Sequence, residues 1–159
     1  MKLINKLSIV VSVYNEEAVL DKFYETILPI LEGIDSDYEL IFVNDGSRDA
    51  SPAILDRLAM DSKKVKVIHF SRNYGHEAAM IAGIDYSSGD GIVCMDADLQ
   101  HPVECIPQIL DTFNQGYEVI SMVRTANKSA GFVNNLTSGL FYKILNKISE
   151  VHFEENASD

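Results

Sequence analysis

Five short β-branched or apolar runs recur along the chain with helix-length segments between them, and this alternation most restricts the folds available. The runs are Leu7–Val13, Tyr38–Asn44, Val65–Phe70, Gly91–Met95 and Tyr117–Val123. Their length, bounded by polar clusters, predicts strands buried on both faces. Between them Glu17–Leu31, Ser51–Asp61, Gly75–Tyr86 and Pro102–Asn114 read as helices. In the first, Val19, Leu20, Phe23, Ile27, Ile30 and Leu31 make one apolar stripe. In the second, Ser51 is expected to cap, Pro52 suits the first helical position, and Ile54, Leu55 and Leu58 face inward. Regular strand–helix alternation predicts an α/β chain, a mostly parallel sheet with helices on both faces.

Open sheets of this kind bind ligands beyond the carboxyl ends of their strands. Four of those ends are polar: Tyr14-Asn15-Glu16-Glu17, Asn44-Asp45-Gly46-Ser47-Arg48-Asp49, Ser71-Arg72-Asn73-Tyr74-Gly75-His76 and Asp96-Ala97-Asp98-Leu99-Gln100-His101. A connecting loop needs one cap and one glycine, so this many carboxylates and amides exceeds local structural need. Asp96 and Asp98 are the sharpest pair. Two carboxylates one residue apart suit a hard divalent cation that keeps positions open for phosphate oxygens; the alternative is a helix cap beside a surface carboxylate. Asp45 reads either as a turn residue before Gly46 or as an acceptor for a nucleobase or ribose. His76 and His101 lack a partner at ligand spacing and read as structural.

Several classes are excluded. The 159 residues carry a net charge of −11, which opposes binding to a nucleic-acid backbone. With 47% hydrophobic and 23% charged residues the chain is a globular one rather than a disordered one. No glycine-rich dinucleotide loop, phosphate-binding loop or serine nucleophile elbow occurs. Cys94 and Cys105 have neither metal-ligand spacing nor a disulfide framework, and Cys94, inside an apolar run, reads as a small core residue. No run reaches the roughly 20 apolar residues of a membrane span, and the first is too short for a signal peptide. A soluble, cytoplasmic chain is the expectation. The segment from Arg124 to Ser149 holds four of the 13 basic residues and no acidic one. Within it Val133, Leu136, Leu140, Phe141, Ile144, Leu145 and Ile148 form a helical stripe over about 132–149, suited to a membrane surface, to a protein face or to self-association.

Taken together and in order, the four loops, the last continuing through Pro102-Val103-Glu104, resemble those of the inverting GT-A (family 2) glycosyltransferases. The resemblance is strongest to polyprenyl-phosphate sugar synthases of the dolichyl-phosphate mannose synthase and bactoprenol glucosyltransferase type, and it runs from residue 7 to about 150. It implies a GT-A nucleotide-diphospho-sugar transferase fold, with a donor-binding core over 1–124 and the start of an acceptor region over 125–159. It implies that Ser12, Tyr14, Glu16, Val43 and Asp45 line a nucleoside pocket. Asp96 and Asp98 would serve the metal and diphosphate, with Ala97 against the nucleotide and Gln100 as a further ligand. Arg124 would approach a donor or acceptor phosphate, although Lys128 stands where a second arginine is common. Asp98 and Asp159 would be catalytic, Asp159 as the base or acceptor-site acid.

The implied cofactor is Mg or Mn. The implied partners are a UDP- or GDP-linked sugar, polyprenyl phosphate and the cytoplasmic face of the cell membrane. Because the family continues further, the resemblance also implies that the chain is truncated at its C-terminus and keeps mainly the donor half. Two other readings stay open: a saccharide hydroxyl as acceptor, and a non-catalytic nucleotide-binding module.

Overall fold

Four of the five apolar runs pair in parallel. In the computed structural model, which describes residues 4–99 and 102–122, β1 (Lys6–Val13), β2 (Asp37–Asn44), β3 (Val65–His69) and β4 (Gly91–Asp96) form one sheet in the order β3-β2-β1-β4. The register aligns Ser12 with Val43 on one side and with Asp96 on the other. Helices α1 (Leu20–Glu32), α2 (Ser51–Asp61), α3 (His76–Tyr86) and α4 (Ile106–Asn114) fill the connections, and a 3-10 turn, Val103–Cys105, leads into α4. The chain divides into two compact units, Met1–Tyr117 and Glu118–Asp159, and the sheet with its helices lies in the first.

Strand alternation sends odd-numbered residues of β1 to one face and even-numbered ones to the other. Leu7, Ile9, Val11 and Val13 meet Leu20, Phe23, Ile27 and Leu31 of α1, Leu55 and Leu58 of α2, and Ile106 and Leu110 of α4. Phe23 lies edge-on to Phe42 with ring centroids 6.1 Å apart. Full burial of such side chains contributes roughly 2 kcal/mol each. The opposite face is thinner: Val10, Ile41 and Val43 pack on Ala79 of α3. Helix α3 comes close because Gly83 has no side chain; a Cβ there would stand 2.2 Å from Val10 Cγ1.

Helix α3 contacts β1 and β2 and leaves the same face of β4 open, so Ile92 and Cys94 are exposed. Cys94 is therefore not the core residue expected from its apolar run. Nor does Tyr117–Met122 form the fifth strand expected there; these residues carry no strand, and Val119 is 89% exposed. A strand is stabilised by its neighbours, and an alternating run without a ladder partner does not make one. Ser51 opens α2 but does not cap it: its hydroxyl accepts the Glu16 amide, while Asp49 accepts the Ser51 amide.

The opposite end of the sheet from the polar loops is fastened by Glu39, which is 2% exposed. Its carboxylate accepts from Lys6 and Lys66 at 2.8 Å each, from Ser8 at 2.7 Å and from the Ser88 amide at 2.7 Å. Burial would raise its pKa, but the hydrogen bonds from Lys6, Lys66, Ser8 and Ser88 outweigh it and hold the carboxyl well below its ordinary value. Its contribution to stability is therefore complete above the ordinary value of 4.5 and is lost as pH falls further. Glu39→Gln is expected to cost about 2 kcal/mol near neutral pH. Urea unfolding across pH should show the wild type losing stability below about pH 4.5 more steeply than the variant.

Candidate functional site

The loops after β1 and β2 bind each other before they can bind anything else. Asn15, in the left-handed region at φ 57°, accepts the Arg48 amide at 2.8 Å and gives its own amide to Ser47 Oγ at 2.9 Å. Glu17 accepts the Ala50 amide at 2.7 Å and gives its amide to Asp49 at 3.0 Å. Asn44 closes the second loop by accepting the Ser47 amide. Much of the polar excess in these motifs thus satisfies backbone donors across two loops. Helix α1 starts at Leu20 rather than Glu17, after a turn in which the Val19 and Leu20 amides both bond the Glu16 carbonyl.

Asp45 is 3% exposed and sits where β2 meets the loop after β3. Its two oxygens accept the Tyr74 amide at 2.7 Å and the Gly75 amide at 3.0 Å. Gly46 follows with φ 68°, and a Cβ there would fall 2.3 Å from the Arg72 carbonyl carbon. The two loops therefore touch backbone to backbone. At the rim Tyr74 stands exposed, edge-on to Phe70, with the Arg72 guanidinium 4.6 Å from its ring centroid. Hydrogen bonds from Arg72 and Ser71 lower the Tyr74 pKa.

At the end of β4, Ala97 turns into the core and Leu99 takes φ 59°. Ser12 Oγ donates to Asp96 Oδ1 at 2.8 Å and lies 2.9 Å from His76 Nδ1. Glu16 has a raised pKa, first from burial and then from the charges of Asp98, Asp49 and Asp96. The charges of Asp98, Asp49 and Asp96 thus reach Glu16. No group of three or more histidine, cysteine or acidic side chains among the described residues forms a metal cage.

The structure brings Ser12, Glu16, Asp45, Asp96 and Asp98 to the carboxyl ends of three neighbouring strands, with Tyr14 exposed beside them. Val43 is fully buried under α3. Gln100, Arg124 and Asp159 lie outside the described residues, as does the stripe at 132–149. The sequence did not point to His76 as part of this site. Its signal is its place as the first residue of α3, after Gly75 at φ 103°.

Residues 8–156 match the family model for Glycosyl transferase family 2. An uncharacterized glycosyltransferase of Bacillus subtilis, YkcC, is 41% identical over 152 residues, covering 96% of this chain and 47% of that protein. The bactoprenol glucosyl transferase of Shigella phage SfV is 38% identical over 154 residues, covering 97% of this chain and 50% of that protein. The chain thus spans about half the length of these relatives. Among solved structures, the mannosyltransferase PcManGT from Pyrobaculum calidifontis in complex with GDP-Man and Mn2+ has a TM-score of 0.63 at 17% identity, over 85% of this chain and 39% of that one. S. aureus TarS 1-349 in complex with UDP-GlcNAc has a TM-score of 0.60 at 18% identity, over 79% and 36%. At these identities the likeness is one of fold, and the sheet with helices on both faces is the expected GT-A architecture.

The backbone contact at Gly46 gives a direct test. Gly46→Ala forces a side chain into the Arg72–Asn73 backbone at an unfavourable φ and is expected to cost about 2 kcal/mol, read by thermal unfolding.

Proposed function

This chain belongs to glycosyl transferase family 2, and from that premise we propose that it forms the donor side of an enzyme moving a sugar from a nucleoside diphosphate to polyprenyl phosphate. The observation that carries the proposal is the convergence of Glu16, Asp45, Asp96 and Asp98 at the ends of adjacent parallel strands in a chain of this family. The acceptor reading is supported by the bactoprenol glucosyl transferases, to which nearly the whole chain aligns. The donor reading is supported by neighbours of the same fold in complex with GDP-Man and UDP-GlcNAc.

In this reading the loops after β1 and β2, with Ser12, Tyr14, Glu16 and Asp45, build the nucleoside side of the site, and the buried Val43 and Ala97 back it from beneath. Asp96 and Asp98, with Gln100, would hold Mg or Mn, whose charge offsets that of the diphosphate as it leaves. The interlocked loops fix these side chains before substrate arrives, so little ordering accompanies binding. Displacement from the face opposite the diphosphate inverts the anomeric carbon. An acceptor phosphate is already an anion near neutral pH, so the demand on a base such as Asp159 is small. Arg124 would answer the acceptor or donor phosphate. No helix among the described residues is long and apolar enough to cross a membrane. Contact with the cytoplasmic membrane surface is assigned to the stripe at 132–149.

Calorimetric titration with UDP and with GDP, each with Mn2+ and again with chelator, tests the donor site. One nucleotide should bind, and only with metal. Asp98→Asn should remove that metal-dependent binding, a larger loss than the roughly 10–100-fold typical of an outer supporting residue. Metal dependence unchanged in Asp98→Asn would overturn its assignment. With the full-length protein, labelled sugar should follow the lipid into organic solvent; label retained in water with a saccharide would assign a hydroxyl acceptor instead.

A further inference from the structure

Helix α3 meets the site at its first residue. His76 Nδ1 lies 2.9 Å from Ser12 Oγ and 3.4 Å from Asp96 Oδ1. Counting hydrogens fixes the direction of these contacts. The Ser12 hydroxyl has a single hydrogen, and it is directed to Asp96 Oδ1 at 2.8 Å. The short contact with His76 therefore requires the hydrogen on Nδ1, so that His76 donates to Ser12 and Ser12 donates to Asp96. Donors aligned in this way polarise one another.

His76 is itself seated by the backbone. The amides of the two residues before it, Tyr74 and Gly75, both end on the buried carboxylate of Asp45. Gly75 takes φ 103°, and its carbonyl accepts the Ala79 amide in the first turn of α3. A continuous path of contacts thus runs from Asp45 through this turn to His76, Ser12 and Asp96. Helix α3 has other anchors: Ala79 and Gly83 lie against the sheet, and Ser88 beyond its far end bonds Glu39. The helix does not depend on His76 to stay in place.

We propose that His76 is a positioning residue which, through Ser12, holds the Asp96 carboxylate in the orientation that a divalent cation requires. The proposal rests on the reading of Asp96 as a cation ligand. Partners that orient metal ligands typically contribute 10–100-fold in metal affinity. A residue serving only as a helix anchor would alter stability instead.

The test is Mn2+ uptake by this chain, followed by loss of the free-ion electron paramagnetic resonance signal with UDP or GDP present, beside thermal unfolding. His76→Ala should weaken Mn2+ binding about tenfold, and Ser12→Ala should do the same. Combining the two should cost no more than either alone, since they break one relay. His76→Asn keeps an N–H close to the position of Nδ1 and should restore affinity to within about threefold of wild type. Melting temperatures should stay within a few degrees throughout. Wild-type affinity in His76→Ala overturns the proposal. So does a loss in His76→Asn as deep as in His76→Ala, whether or not stability falls with it. A wild-type chain that takes up no Mn2+ with either nucleotide overturns the cation reading of the site, and the proposal with it. Uptake by the wild type with unaltered His76 variants removes the proposal alone.

Discussion

The pairing of β1 with β4 positions the site, because it sets Ser12 beside Asp96. A slip of one residue would turn Asp96 toward α1 and into an apolar layer. The register is secured at the other end of the same strands. There Asp90 accepts the amides of Asn5 and Lys6, the Gly89 amide reaches Ser8 Oγ, and Ser8 bonds Glu39. Buried polar groups of this kind stabilise a fold mainly by what they forbid: in a shifted β1–β4 pairing Glu39 would lose the Ser88 amide and hydroxyl, and Ser8 Oγ the Gly89 amide. The carboxylates at one end of the sheet are thus aligned by carboxylates at the other.

The two faces of the sheet are packed by different means. On one, α1 and α4 present large apolar stripes to a thick core. On the other, α3 turns Ala79 and Gly83 inward while Ile81 and Ile84 stay exposed. Small residues let the helix lie close to β1 and β2. This close approach is compatible with the reach of His76, at the helix start, to Ser12.

The sequence was most informative where chemistry is local. Strand and helix order through α4 and the parallel sheet follow from patterning over a few residues, and the bounds of α2 are those the apolar spacing predicts. What escaped depends on partners far away in the chain. Tyr117–Met122 has a strand's alternation but no ladder. Cys94 lies in an apolar run on a face that no described helix covers. Ser51 has a capping residue's chemistry but gives its oxygen to Glu16, 35 residues earlier. His76 looked isolated because its neighbours, Ser12 and Asp96, are 64 and 20 positions distant in sequence. Many of the polar residues in the first two loops clasp each other, so the motifs carry structural as well as functional information.

The strand order β3-β2-β1-β4 also sets a timetable for synthesis. As the chain leaves the ribosome, β1 can pair with β2 early, but its other edge must wait for residues 91–96. Until then that edge offers unpaired backbone groups to any passing strand, the usual opening for misassembly and for chaperones. The carboxylates of β4 arrive with the strand that closes the gap. A nascent chain thus brings Glu16, Asp45, Asp96 and Asp98 to one end of the sheet only once β4 has joined it.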